Sequence, residues 1–444
     1  MFPSPQAALP LPPRPDLKKY KKLAKNLVKA CRSNDPSAIR SWASQWVEAL
    51  VKLSGLSMTA DLPVSIDRWV DQVESFARKQ LSGSEKQGMT CTASRAQFVI
   101  ARSHGFESWP KFANFLEMLS HQDSTASAFE AAADAIIFGD IAKLDRLLRE
   151  NPNLIRTRSA REHRATLLHY ISANGVEGYR QKTPKNIVEI AKALLKAGAD
   201  VNAACDVYDG STTLGLAASS LHPERAGVQN ELLQVLLDCG AETERRTVAG
   251  HRHSTVRGCL ANGRGKAAEF LATRGVRLDL EEAAGTGRLE SVKSFFNDDG
   301  SLKPAATKEQ LQRGFLWACE YGHNDVVAFL LDHGADMSDQ AGTGETGLHW
   351  AVVGAQLPTI KLLIERGARL EELNAYGGTT LGQAGWSFIN GDPEIDYVPV
   401  FEALLAAGAK IEDGWLTWLE NQNGRPAVAK ALVANVMRHY GART

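Results

Sequence analysis

Apolar residues in the first quarter of the chain recur at helical spacing. Leu17, Tyr20, Leu23 and Leu27 fall three or four residues apart, with Val28 beside them and lysines between them. This spacing predicts a helix within 17–35 whose lysines face water. The same pattern predicts helices at about 37–52, through Trp42, Trp46 and Leu50, and at 65–80, through Trp69, Val73 and Phe76. Shorter ones are expected at 94–103 and 107–119. In HGFESWPKFANFLEML, Ser108 is placed to cap a helix with Pro110 in its first turn. Phe106, Trp109, Phe112 and Phe115 would pack inward. The polar stretch SGSEKQG, 82–88, reads as a loop, and HQDSTAS, 121–127, as a short linker. Residues 1–15 are rich in proline and offer little to pack, so a disordered leader is expected. A small all-helical domain over 16–120 follows from these signals.

From about residue 128 the pattern repeats itself. The clearest marks are LLKAGADVNA (194–203), LLDCGAETE (236–244), LATRGVRLD (271–279), LLDHGADMS (330–338), LIERGARLE (363–371) and LLAAGAKIE (404–412). Two weaker copies, at 131–152 and 281–300, lack the glycine ending. About eight helix-pair units are implied. Gly198, Gly240, Gly334, Gly367 and Gly408 stand where each helix ends, a position that calls for positive φ. Residues 415–444 read as capping helices.

One unit is the plainest: TGLHWAVVGAQLPTIKLLIERGA, 346–368. Its Thr346, Leu348, His349 and Ala351 match the T-P-L-H-x-A signature of the ankyrin repeat, with Gly347 in place of the proline. Thr166 and His169 form a second copy in ATLLHYISANG. Thr212 and Thr379 open two more, TTLGLAAS and TTLGQAG, in which glycine replaces the histidine. FLWACEYGHNDVVAFLLDHGAD, 315–336, keeps the helix pair, loses the threonine and carries His323 after the inter-helix glycine. Over 128–414 the chain resembles the ankyrin repeat family. That resemblance implies an all-α solenoid in which threonine caps the first helix and histidine ties the turn to the backbone. A histidine that recurs at one register reads as scaffold rather than as a catalyst. The stretch ARSHGFESWPKFANFLE resembles the helical leader of a group of bacterial ankyrin-repeat proteins.

Departures from the plain unit carry the functional expectation. Thr346 and Gly367 are 21 residues apart, whereas Thr166 and Gly198 are 32 apart, Thr212 and Gly240 28, and Thr379 and Gly408 29. The surplus lies between the two helices of each unit, in VEGYRQKTPKN (176–186), SLHPERAG (220–227) and WSFINGDPEIDYVP (386–399). Inserted loops of repeat proteins emerge together and can bind. Tyr179, Arg180, Lys182, His222, Arg225, Trp386, Phe388, Asp392 and Tyr397 are therefore the candidate partner contacts. Conversely, few residues separate Gly275 from the next helix, so a projecting hairpin is missing. A kink or break in the stack is expected near 276–310.

Composition narrows the function. The 444 residues are 44% hydrophobic and 23% charged, with 51 basic and 51 acidic residues and no net charge. That balance argues against a partner held by polyanion attraction throughout. The lysines of 17–35 offer the one basic helix, an alternative contact for nucleic acid or anionic membrane. Six scattered cysteines form no CxxC pair and read as reduced thiols. With neither a signal-peptide pattern nor an apolar run of ~20 residues, a cytoplasmic protein is expected. No phosphate loop, HExxH or GxSxG motif occurs. In VAGHRHSTVRG, 248–258, His251, Arg252, His253 and Arg257 read as a polar loop, and Asp392, Glu394 and Asp396 form no complete calcium loop. No catalytic residue, metal site or cofactor is indicated. The expectation is a non-enzymatic scaffold that binds a protein partner through its concave face and inserted loops. An enzymatic or ligand site in 176–186 or the N-terminal domain is the alternative.

Overall fold

The computed structural model describes residues 4–12, 15–54, 62–82, 91–121, 124–246, 250, 252–340 and 344–442. The expected loop at 82–88, apart from Ser82, and His251 lie outside these residues. The chain divides into two compact units, Met1–Gly258 and Cys259–Thr444.

The first unit begins with five helices: α1 (Leu17–Cys31), α2 (Ala38–Ser54), α3 (Leu62–Leu81), α4 (Ala93–Ser103) and α5 (Trp109–Ser120). Asp16 caps α1 by accepting from the Lys18 N–H, and Ser108 caps α5 from the Lys111 N–H. Tyr20, Leu27, Trp42, Trp46, Val73 and Phe112 form one buried core. Cys31, ending α1, is joined by a disulfide to Cys91, just before α4, with Cα atoms 5.8 Å apart. This corrects the expectation of six reduced thiols: packing of α1 on α4 brings together two cysteines 60 residues apart in sequence. Cys205, Cys239, Cys259 and Cys319 are free.

The leader is also ordered over its described part. Pro5–Ala7 form a 3-10 turn, and Ala8 and Leu9 are buried. The Leu9 N–H donates to the Ser103 carbonyl at 2.7 Å, and the Leu9 carbonyl lies 3.1 Å from His104 Nδ1. Two apolar residues were enough to seat the segment against α4. The expected linker is a tight turn as far as it is described. Ser124 caps α6 (Thr125–Phe138), and its hydroxyl donates to the Met118 carbonyl at 2.6 Å.

Helix α6 pairs with α7 (Ile141–Glu150). Next come a 3-10 helix, Leu167–Ser172, and α8 (Ile187–Lys196), then α9 (Thr213–Ser219), α10 (Leu221–Arg225) and α11 (Gln229–Asp238). Glu244–Arg246 (β1) pairs antiparallel with Arg252–Ser254 (β2), so part of the expected polar loop is a short hairpin. Helix α12 (Thr255–Ala261) contains the division between the units.

The second unit stacks helix pairs. They are α14 (Leu280–Gly285) with α15 (Leu289–Lys293), α16 (Lys308–Tyr321) with α17 (Asn324–Asp332), and α18 (Gly347–Val353) with α19 (Leu357–Glu365). These are followed by α20 (Thr380–Asn390) with α21 (Val398–Ala406), and α22 (Trp415–Asn421) with α23 (Ala427–His439). Helix α13 (Gly265–Ala272) precedes them all. Leu280, Phe315, Leu348, Phe401, Leu416 and Met437 belong to one buried core. The short connection after Gly275 is present, closed by Asp279, which accepts from the Glu282 N–H at 2.9 Å. The expected break at 276–310 is not where the chain divides. Leu280, Ala283, Val292 and Phe296 share the core of the later pairs, and the division falls at 258/259.

Candidate binding surface

The recurring residues set the frame on which any surface is displayed. Nδ1 of His349 accepts from the Thr346 N–H at 3.3 Å and lies 2.9 Å from its hydroxyl. Nδ1 is therefore unprotonated, and the Nε2–H faces the Gly378 carbonyl of the following unit at 3.3 Å. His169 repeats the contacts with Thr166, at 3.1 and 2.8 Å. Burial lowers the His169 pKa to about 4, offset in part by the backbone carbonyls of Ser211 and Ala203. Where glycine replaces histidine, the threonine caps alone. Thr212 accepts from the Gly215 N–H at 3.4 Å, and Thr379 from the Gly382 N–H at 3.2 Å. His323 Nε2 lies 3.1 Å from the Gly285 carbonyl, linking α17 to the preceding pair.

The glycine endings share one geometry. Gly198, Gly240, Gly334, Gly367 and Gly408 have φ between +85 and +96°. After each, the next N–H reaches back into the helix, as from Ala335 to the Leu330 carbonyl and from Ala368 to that of Leu363, both at 2.9 Å. This is the Schellman closure, which an ordinary side chain would strain.

The nine candidate contacts divide. Lys182, His222, Arg225, Trp386 and Asp392 are exposed. Arg180, Phe388 and Tyr397 are buried, which removes them from the surface set. Tyr179 packs against the N-terminal core and accepts a hydrogen bond from Arg161 at 3.3 Å. The 386–399 insert is clamped from inside. Arg425 lies 4.9 Å above the Phe388 ring and donates to the carbonyls of Phe388, Asp392 and Pro393. The Tyr397 hydroxyl donates to the Val353 carbonyl at 2.8 Å.

The 176–186 insert turns inward for an electrostatic reason. Glu177, with no exposed side-chain surface, pairs with Arg161 and lies 3.5 Å from Arg180. Glu130 accepts from both arginines, at 3.0 and 2.9 Å, and Asp134 takes Arg180 at 2.8 Å. Burial alone would push the Glu177 carboxyl up. The two guanidinium groups outweigh it and hold the carboxyl well below its ordinary value. Arg161 also donates to the His104 carbonyl at 3.1 Å. The insert thus ties α6 and the N-terminal helices together. Within it Arg161, Arg180 and Glu177 neutralise one another out of solvent, whereas Asp134 at the cluster's edge keeps 45% of its side chain exposed.

Tryptophans instead recur on the first helices of successive pairs in the second unit. Trp386 stands seven residues after Thr379 on α20 and is 58% exposed. Trp317 and Trp350 are half-buried on α16 and α18 at equivalent positions, 33 residues apart. Glu320, between them in sequence, is pushed up to about 7 by burial, against a hydrogen bond from Tyr321. Sequence reasoning named Trp386 but neither Trp317 nor Trp350, because it looked for contacts in the inserts. The 33-residue spacing of Trp317 and Trp350 was the available signal for those two.

Among the described residues, no group of His, Cys, Asp and Glu could hold a metal ion, and no helix is long and apolar enough to cross a membrane. A family model described as "Ankyrin repeats (3 copies)" matches residues 280–374 and 315–414. Mouse (Mus musculus) diacylglycerol kinase iota is 35% identical over 83 residues, 18% of this chain and 8% of that protein. Ankyrin repeat and SAM domain-containing protein 6 of Danio rerio is 36% identical over 83 residues, 18% of this chain and 11% of that protein. Human (Homo sapiens) SH3 and multiple ankyrin repeat domains protein 2 is 35% identical over 94 residues, 19% of this chain and 5% of that protein. The chain thus matches only a small fraction of the length of these relatives. The crystal structure of the human ASB11 ankyrin repeat domain aligns with 64% of this chain and 99% of its own, at 24% identity and a TM-score of 0.33. Repeats of this family generally mediate protein–protein interaction. Residues 280–414 of the chain thus belong to the ankyrin-repeat family.

Proposed function

We propose that the chain is a non-enzymatic scaffold that binds a protein partner through the first helices of its repeats and the exposed residues of its inserts. The observation that carries this reading is Trp386. An indole 58% exposed on a capped, well-packed helix leaves apolar surface in water. Tryptophan is among the residues that dominate interface energy once covered. Asp392 is exposed beyond the end of the same helix, and Trp350 is half-buried one unit earlier. Lys182, His222 and Arg225 are the polar contacts proposed for the first unit. Rigid helix pairs lose little entropy on association, so a modest patch suffices for useful affinity.

The test is quantitative affinity capture with the full chain and its Trp386→Ala variant. Captured proteins are ranked by loss, and the leading one is titrated in purified form. Equal capture by both proteins defeats the reading. A partner weakened roughly tenfold or more, with an unchanged circular dichroism melt, supports it. The cytoplasmic assignment belongs to this proposal as well. The Cys31–Cys91 disulfide weighs against it, since such bonds persist mainly in oxidising compartments.

A further inference from the structure

A groove of about 910 Å³ runs between α1 and α2 in the N-terminal domain. Its floor is apolar: Leu23, Trp42, Trp46 and Leu50. Leu53 stands at one end, 54% exposed. The lining positions recur at three or four residue spacing on both helices, through 16, 19, 23 and 26 on one side and 38, 42, 46, 49 and 53 on the other. The groove therefore follows the helix axes for ~20 Å, about four turns.

The charge of the helix on one side of it is uniform. Helix α1 carries six lysines and no acidic residue. Lys19 and Lys29 line the groove, and Lys22 is exposed on the turn between them. Two carboxylates also line the groove, one near each end of α1, so the excess of positive charge lies along the helix between them. Asp16 accepts from the Lys18 N–H at 2.8 Å, and Asp35 accepts from the Ser37 N–H and hydroxyl at 2.8 and 2.7 Å. Among the described residues, the ion pairs within these five helices join Arg40 to Asp71 and Glu74, Arg78 to Glu74 and Lys111 to Glu107. None uses a lysine of α1.

We propose that this groove docks an acidic amphipathic helix from a protein partner. Apolar anchors at i, i+3, i+4 and i+7 would lie along the floor, and flanking carboxylates would meet the lysines of α1. A floor with indoles recessed to 6% and 5% exposure accepts side chains. Indoles so recessed do not reach into a bilayer, where insertion requires protruding apolar groups. This surface is separate from the repeat helices invoked above, so either reading can fail without the other.

The experiment uses the full chain and a fluorescein-labelled synthetic peptide of about 18 residues, ~27 Å as a helix. The peptide carries leucine at the anchor positions and glutamate elsewhere. The expected result is saturable anisotropy that weakens at high salt. Leu53→Glu and Lys19→Glu should each weaken it roughly tenfold or more. A peptide with lysine for glutamate should not bind. Leu53 is exposed, so its substitution should leave the thermal melt unchanged. Ala49→Glu, at a second exposed lining position, replaces it if the melt moves. Absence of saturable binding overturns the proposal. So does binding indifferent to the lining variants, or a Leu53→Glu-sensitive preference for phosphatidylserine vesicles over the peptide.

Discussion

Arg161 and Glu177 form an ion pair in which neither side chain keeps more than 1% of its surface exposed. Arg180 and Glu130 complete the cluster. Replacing Glu177 by Gln leaves Arg161 with only a share of Glu130, while Arg180 keeps Glu130 and Asp134. Breaking a buried pair from one side costs about 3–5 kcal/mol. We expect Glu177→Gln to lower unfolding stability by that order in urea titrations. Native-state hydrogen exchange should show protection lost in α6 and the 176–186 insert. An unchanged urea midpoint would mean that the cluster adds nothing to folding.

The Thr346–His349 bond predicts a purely structural phenotype. His349→Ala removes the acceptor for the Thr346 N–H and the link to Gly378. Roughly 1–3 kcal/mol of stability should be lost, the cost of stranding a buried donor. Affinity for any captured partner should change little. Retained stability with abolished binding would make His349 a contact instead.

His169 adds a pH dependence whose direction is fixed. Its folded pKa, about 4, lies below the ordinary value of 6.5. Between these values the unfolded chain binds a proton that the folded chain refuses, so stability falls as pH drops from 6.5 towards 4. His169→Gln should flatten that slope in melts of the full chain at several pH values. An equal slope in both proteins would assign the acid sensitivity elsewhere.

The Cys31–Cys91 bond closes a loop of 60 residues. Loop-closure entropy puts its contribution at about 4 kcal/mol. Reduction, or Cys31→Ser, should lower the unfolding midpoint of the N-terminal helices. Mass spectrometry of the unreduced chain, alkylated after denaturation, should find four modified cysteines, the number that are free. Six modified cysteines would contradict the pairing.

What could be read from the sequence was local. Helix α2 was expected at about 37–52 and spans Ala38–Ser54, because Trp42, Trp46 and Leu50 mark one buried face. The glycine closures and the Thr346–His349 tie were legible for the same reason: each is completed within a few residues. The inserts were not. Nothing near Arg180 signals that Glu130 and Asp134 lie 50 and 46 residues upstream, ready to draw it inward. Arg425, which clamps the other insert through backbone carbonyls, leaves no side-chain pattern at all. The disulfide was hidden likewise, since spacing says nothing of two cysteines joined by helix packing.

Glu320 supplies a pH prediction of opposite sign. Burial raises its carboxyl from 4.5 to about 7 in the folded chain. Between those values the folded state keeps a proton that the unfolded state has released, so this group makes stability fall as pH rises. The cost is absent below about pH 4.5 and complete above about 7. Glu320→Gln keeps the shape and stays neutral. Its stability advantage over the parent chain should therefore grow through that window and then level off. Differential scanning calorimetry of both proteins at matched pH measures this difference directly and cancels the histidines, which titrate in both. A constant difference from pH 4.5 to 7 would mean that Glu320 ionises in the folded chain as it does in water.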